Sequence, residues 1–166
     1  MPNPDWRLYA VLPHAAGWEA VKALRHEVFV VEQQVSPEEE FDAFEGTSWH
    51  VMVTTCRHEQ AINQHPALAT GRWRITPEGN PKIERCAVSQ ATRGQGAGAT
   101  IVKALLNAIH LTEPGRYPNT YLHAQDHAIP FYEKLGFEAR GPVFEEAGIL
   151  HRKMHVISPA PLLTTS

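Results

Sequence analysis

The sequence predicts a mixed α/β sheet. Two periodicities and their order along the chain carry that prediction. Apolar residues alternate at every second position at Trp49, Val51 and Val53, the period of a strand. They recur at three- and four-residue steps from Gly98 through Ile101, Val102, Leu105, Leu106 and Ile109, the period of one helix face. Strands come first, and a strand–helix–strand–helix–strand run follows. The 166 residues suffice for one domain with a proper hydrophobic core. With no repeat or linker to divide them, residues 1–166 are read as a single domain.

The elements follow in order. Leu8–Leu12 reads as a strand ended by Pro13. Trp18, Val21, Leu24, Val28 and Val31 then mark one face of a helix that begins after Gly17. Glu38, Glu39, Glu40, Asp42 and Glu45, with Glu32 just ahead, form an acidic run that reads as a solvated loop or short helix. Strands are expected at 49–54, 68–75 and 83–88, the second closed by Pro77, Gly79 and Pro81. The long helix from Gly98 stops at Pro114-Gly115. A short strand at 120–124 precedes a helix with Asp126 as N-cap and Gly136 as C′ residue. Phe137 restarts extended structure, 154–157 is the expected last strand, and the tail from Ser158 is expected to fray.

Composition narrows the function. A hydrophobic fraction of 43% and a charged fraction of 20% belong to a soluble globular protein. No window approaches about 18 uninterrupted apolar residues, and the N-terminus lacks the basic and apolar regions of a signal peptide. A cytoplasmic location is expected. A net charge of −3 does not favour nucleic acid as partner. Cys56 and Cys86 read as buried free thiols. The His123/His127 and His151/His155 spacings suit a metal only on a helix, and these lie on strand or loop, so no metal is expected.

Chemistry concentrates where the strand 83–88 feeds Arg93-Gly94-Gln95-Gly96-Ala97-Gly98. A strand-to-helix turn offers free backbone N–H groups and the positive end of a helix dipole. Glycines let an anion approach closely, and Arg93 adds a fixed charge. Phosphate binding is the expectation, with tight strand–helix packing as the alternative reason for the glycines. The dinucleotide fingerprint lacks its acidic residue about 20 positions on, and a Walker A loop would need Lys-Ser/Thr after Gly98.

A second constellation, Ala128-Ile129-Pro130-Phe131-Tyr132-Glu133-Lys134-Leu135-Gly136-Phe137, lies some 30 residues downstream. Together the two resemble the cofactor motifs of the GNAT acyltransferase superfamily. Leu24-Arg25, Val28–Gln33, Glu40-Phe41-Asp42 and Glu146–His151 look like its ElaA-like branch. The resemblance implies a mixed, mostly antiparallel sheet of about 6–7 strands flanked by about four helices. It also implies acetyl-CoA as co-substrate. Cys86, Ala87 and Val88 would pair with the pantetheine arm. Arg93, Gly94, Gln95, Gly96, Ala97, Gly98 and Ala99 would cradle the pyrophosphate, and Gln125, Phe131 and Tyr132 would complete the cofactor side. A homodimer is in keeping with the superfamily.

Direct transfer to a small-molecule or peptide amine is implied, with Tyr132 protonating the departing thiolate. An alkylamine of pKa near ~10 must first lose a proton, and Glu84 and His151 are the candidate bases. A backbone N–H near Ala87 or Val88 would meet the developing oxyanion. Arg25, Phe29 and Glu32 are candidates for the acceptor pocket, and the acidic run could attract a cationic acceptor. A non-catalytic acyl-CoA sensor is the alternative function.

Overall fold

The computed structural model describes residues 3–157. Its strands are β1 (Arg7–Val11), β2 (Trp49–Thr54), β3 (Ala69–Ile75), β4 (Pro81–Val88), β5 (Tyr121–Gln125), β6 (Phe137–Glu146) and β7 (Ile149–Val156). They form one sheet in the order β1-β2-β3-β4-β5-β7-β6. All neighbours are antiparallel except β4 and β5. The helices are α1 (Trp18–Arg25), α2 (Pro37–Glu40), α3 (Ala97–Thr112) and α4 (Ile129–Lys134). None of the described helices is long and apolar enough to cross a membrane.

Two cores flank the sheet. On one face Ile101, Val102, Leu105, Leu106 and Ile109 of α3 bury the predicted stripe against Trp73, Ile83 and Leu122. On the other, Trp18, Val21 and Leu24 of α1 pack on Val11, Met52 and Ala87. The α3 face approaches β3 so closely that a Cβ on Gly71 would stand 2.8 Å from both Ile101 Cγ2 and Leu105 Cδ1. Gly71→Ala is therefore expected to cost about 1–3 kcal/mol by overpacking, read as a lower urea midpoint at unchanged slope.

Three local expectations are corrected. The first helix does not run on as an α-helix to Val31: residues His26–Glu32 form a π-helical segment. Gln33 N–H donates to Val28 O, five residues back, and the wider turn leaves Val31 exposed. Asp126 is not the cap of α4; a 3₁₀ turn intervenes and Ala128 occupies that position with no side-chain cap. The last strand begins at Ile149, because β6 and β7 form one hairpin through Ala147 and Gly148. Gly136 does close α4, at φ 88°, where glycine pays no Cβ penalty. The tail from Ser158 lies outside the described residues.

Candidate active site

β4 and β5 pair only at Lys82–Tyr121 and Ile83–Leu122. Beyond Ile83 they diverge, so the β4 edge facing β5 keeps backbone N–H and C=O groups without a strand partner. Such an edge can add an extended ligand as if it were another strand. A bulge sharpens the divergence. Thr70 pairs with Ala87 but Arg72 with Glu84, which leaves one extra residue on β4, and Arg85 takes φ 57° there. A cleft of about 1170 Å³ opens in the gap, walled by the π-helical segment on one side and by β5 and the β6–β7 hairpin on the other.

The glycine turn closes one end of this cleft. Gly94 and Gly96 have φ 75° and 92°, and a Cβ on either would meet nothing within 4 Å. Their conformation demands glycine, and the space over them is open. Gly96 caps α3 without any side-chain hydrogen bond, so the first N–H groups of the helix remain available to an anion. Gly98 has a different reason. A Cβ there would stand 3.2 Å from Val88 Cγ2 and 3.3 Å from Phe131 Cζ, so its smallness serves packing rather than anion approach. Arg93 is held in place by Glu32 at 2.9 Å and by the Val88 carbonyl at 3.2 Å.

Tyr132 faces the cleft from α4, with Phe131 and Phe137 edge-on to its ring at 4.9 and 5.9 Å. The Cys86 thiol lies beside its hydroxyl. Burial raises the phenol well above 10, and the neighbouring thiol adds to the effect. Burial also pushes Cys86 up to about 12. Across the cleft, Gln33 and Gln125 exchange amide hydrogen bonds at 2.8 and 3.3 Å.

The other end of the cleft is built on ion pairs. Arg25 reaches Glu40 and Glu45, each at 2.7 Å. Arg72 reaches Asp42 at 2.7 Å and Glu45 and Glu84 at 2.8 Å. Arg85, swung out by the bulge, reaches Glu40 and Asp42 at 3.1 Å. On the opposite wall His151 Nδ1 donates to the Ile149 carbonyl at 2.7 Å, and Phe144 stacks on its ring at 5.9 Å.

A family model described as an acetyltransferase (GNAT) domain matches residues 27–158. The chain belongs to the GNAT family. An uncharacterized N-acetyltransferase of Bacillus subtilis, YjcF, is 37% identical over 132 residues, covering 79% of this chain and 86% of its own. Among solved structures, an acyl-CoA N-acyltransferase from Pseudomonas aeruginosa superposes with TM-score 0.71 at 30% identity, covering 91% of this chain and 97% of its own. Escherichia coli ElaA superposes with TM-score 0.71 at 26% identity, over 90% and 97%. The seven-stranded sheet is the GNAT fold, and the chain is an acyltransferase of the kind that uses acyl-CoA.

Within this GNAT cleft the residues singled out from sequence separate into two groups. Cys86, Ala87, Val88, Gly94, Gly96, Ala97, Gly98, Ala99, Arg93, Gln125, Phe131 and Tyr132 all border it, as do Phe29 and His151. Gln95 instead turns its amide to the Ala91 carbonyl at 2.9 Å. Arg25 is not an acceptor-pocket residue: it is 1% exposed and consumed by Glu40 and Glu45. Glu32 belongs to the glycine-turn end, through Arg93. Within the acidic run Glu38 and Glu39 are exposed, whereas Glu40, Asp42 and Glu45 are spent on arginines.

Glu84 does not fit a general base. Burial opposes its ionisation, but the hydrogen bond from Arg74 and the charges of Arg72 and Lys82 outweigh it and bring the carboxyl down to about 2. A group so acidic takes up little proton at neutral pH. It is a stability element instead. Its folded pKa lies below the unfolded value, so its contribution is complete above pH ~4.5 and fades as pH falls toward 2. The shift corresponds to about 3 kcal/mol. Glu84→Gln should flatten the stability–pH curve between about pH 4.5 and 2, measured by urea unfolding at each pH.

Among the described residues no group of three His, Cys, Asp or Glu side chains is arranged to hold a metal, and Cys56 and Cys86 are both free thiols. Glu146 also borders the cleft, and the sequence does not single it out apart from the Glu146–His151 segment. The signal was its place beside Ala147-Gly148, a pair that can turn a hairpin and aim the preceding side chain back over the sheet.

Proposed function

We propose that the chain transfers an acetyl group, or a closely related acyl group, from acyl-CoA to the primary amine of a small molecule or peptide within a ternary complex. The observation that carries this reading is the convergence of three features in one cleft. These are an unpartnered β4 edge, an uncapped glycine turn at the start of α3, and Tyr132 facing the gap between them.

Acyl-CoA supplies the activated carbonyl. Gly94, Gly96 and the first N–H groups of α3 suit its pyrophosphate, with Arg93 beside them. The free edge near Ala87 and Val88 offers backbone N–H groups to an oxyanion. His151 Nε2 takes the proton the amine gives up, the C–N bond forms as the C–S bond breaks, and Tyr132 protonates the leaving sulfur. A relay through an acylated Cys86 has little support, since a thiol pushed up to about 12 by burial supplies almost no thiolate.

Thiol release from acetyl-CoA, measured with a panel of alkylamines, polyamines, amino sugars and peptides, tests the proposal. Time-dependent release requiring both substrates is expected. Calorimetry showing no acetyl-CoA binding would overturn the reading, and tight binding without transfer to any amine would favour a sensor.

A further inference from the structure

The β6–β7 hairpin turns on Ala147 and Gly148, at φ 51° and 75°, and places the last residue of β6, Glu146, over the cleft. Its carboxylate spans two imidazoles. Oε1 lies 3.3 Å from His123 Nδ1, and Oε2 lies 3.9 Å from His151 Nε2. Phe144 packs edge-on against His123 at 4.8 Å and stacks on His151 at 5.9 Å, so both rings are held. The hydrogen bond with His123 lowers the Glu146 carboxyl below its ordinary range, which keeps it ionised at neutral pH.

The His151 tautomer follows from its partner. The Ile149 carbonyl can only accept, so Nδ1 carries the hydrogen of the neutral ring and Nε2 is a lone pair. With the ring neutral, two acceptors, Glu146 Oε2 and His151 Nε2, therefore face each other 3.9 Å apart. Lys82 is the neighbouring cation on β4, and its ammonium is engaged by Glu84 at 3.0 Å. A pair of acceptors at this spacing is complemented by one atom bearing at least two N–H bonds and a positive charge.

We propose that Glu146 and His151 form a docking fork for the ammonium form of the acceptor, which makes the acceptor an aliphatic amine rather than an arylamine or an alcohol. This rests on the acyl-transfer reading above. Glu146 Oε2 holds one N–H of the cation. His151 Nε2 holds another and removes that proton, and the resulting imidazolium is matched by the same carboxylate. Deprotonation frees the nitrogen lone pair for attack on the acyl carbon. Once the C–N bond has formed, the second N–H proton passes to the phenolate that Tyr132 becomes on protonating the departing sulfur. Glu146 is thereby a specificity residue and His151 the base.

The test uses the full chain, with CoA present, and n-butylammonium chloride as probe. 1-Butanol and sodium chloride are the neutral and ionic controls. Imidazole 15N NMR is expected to show a saturable shift of His151 Nε2 with butylammonium alone. Glu146→Gln is expected to weaken that response about tenfold, as loss of one hydrogen bond to a charged group does. For any alkylamine that is turned over, Glu146→Gln raises KM by a larger factor than it lowers kcat. A lesion confined to folding would not produce that split. No saturable response, an equal response to butanol or sodium chloride, or a response undiminished in Glu146→Gln overturns the fork. If acetyl-CoA binds by calorimetry while butylammonium gives no response, the fork alone fails. If acetyl-CoA does not bind, the acyl-transfer reading fails with it.

Discussion

Tyr132→Phe is expected to lower kcat about 10²–10³-fold, the range for loss of a positioned general acid, with the acetyl-CoA dissociation constant changed little. The substitution deletes one hydroxyl and leaves the ring between Phe131 and Phe137. The hydroxyl's neighbour is the Cys86 thiol, a weak donor and acceptor, so losing that contact costs little stability. Packing and chemistry are thus separable at this position. The raised phenol pKa fixes the pH behaviour as well. An acid works while it is protonated, and Tyr132 stays protonated until well above 10. No alkaline loss between pH 7 and 10 should therefore come from this group. Steady-state thiol release across that range, with calorimetry on the same variant, checks both statements. An unchanged kcat in Tyr132→Phe would remove the tyrosine from the mechanism.

What the sequence made legible is what is encoded locally. The α3 stripe from Ile101 to Ile109 is buried as its periodicity requires. Gly94, Gly96 and Gly136 occupy positive φ, and each announces a turn or cap within a few residues of itself. The ion pairs are a different kind of fact. Glu40 meets Arg25 across 15 residues, and Asp42 meets Arg85 across 43. Glu38 and Glu39 are exposed, but Glu40 beside them carries no local sign of the guanidinium that neutralises it, so the whole run reads as solvated surface. The bulge at Arg85 is equally silent: Glu84 and Arg85 are strand neighbours that regular pairing would send to opposite faces, yet both join the cluster of Arg72 and Asp42 where the register slips. The Glu146–His123–His151 cluster is written across three strands and becomes visible only when β5 and β7 are paired.

Arg72→Ala is expected to cost about 3 kcal/mol of stability, the lower end of the cost of breaking a buried ion pair. Arg72 is fully buried, and its guanidinium donates at 3.1 Å and 2.8 Å to Glu84, at 2.9 Å and 2.7 Å to Asp42, and at 2.8 Å to Glu45. Those contacts account for all the N–H groups an arginine has. The lower end applies because each carboxylate keeps a second cation: Glu45 retains Arg25, Asp42 retains Arg85, and Glu84 retains Arg74 and Lys82. Arg72→Lys should recover little, since one ammonium cannot address three carboxylates in a fixed fork. The sign of the pH dependence is diagnostic. In the parent protein Arg72 helps hold Asp42 and Glu45 below their ordinary range and Glu84 near about 2, so its contribution is present at neutral pH and fades on acidification. The gap between parent and Arg72→Ala should therefore be widest near pH 7 and shrink below about pH 4.5. The damage should also be local to function. Asp42 and Phe44 wall the end of the cleft where the proposed amine would bind, whereas the glycine turn and Tyr132 make no contact with Arg72 through these bonds. A folded Arg72→Ala protein at low temperature should bind acetyl-CoA normally and show a raised KM for its amine. A uniform stability loss at every pH, with KM unaltered, would show that the guanidinium only fills space.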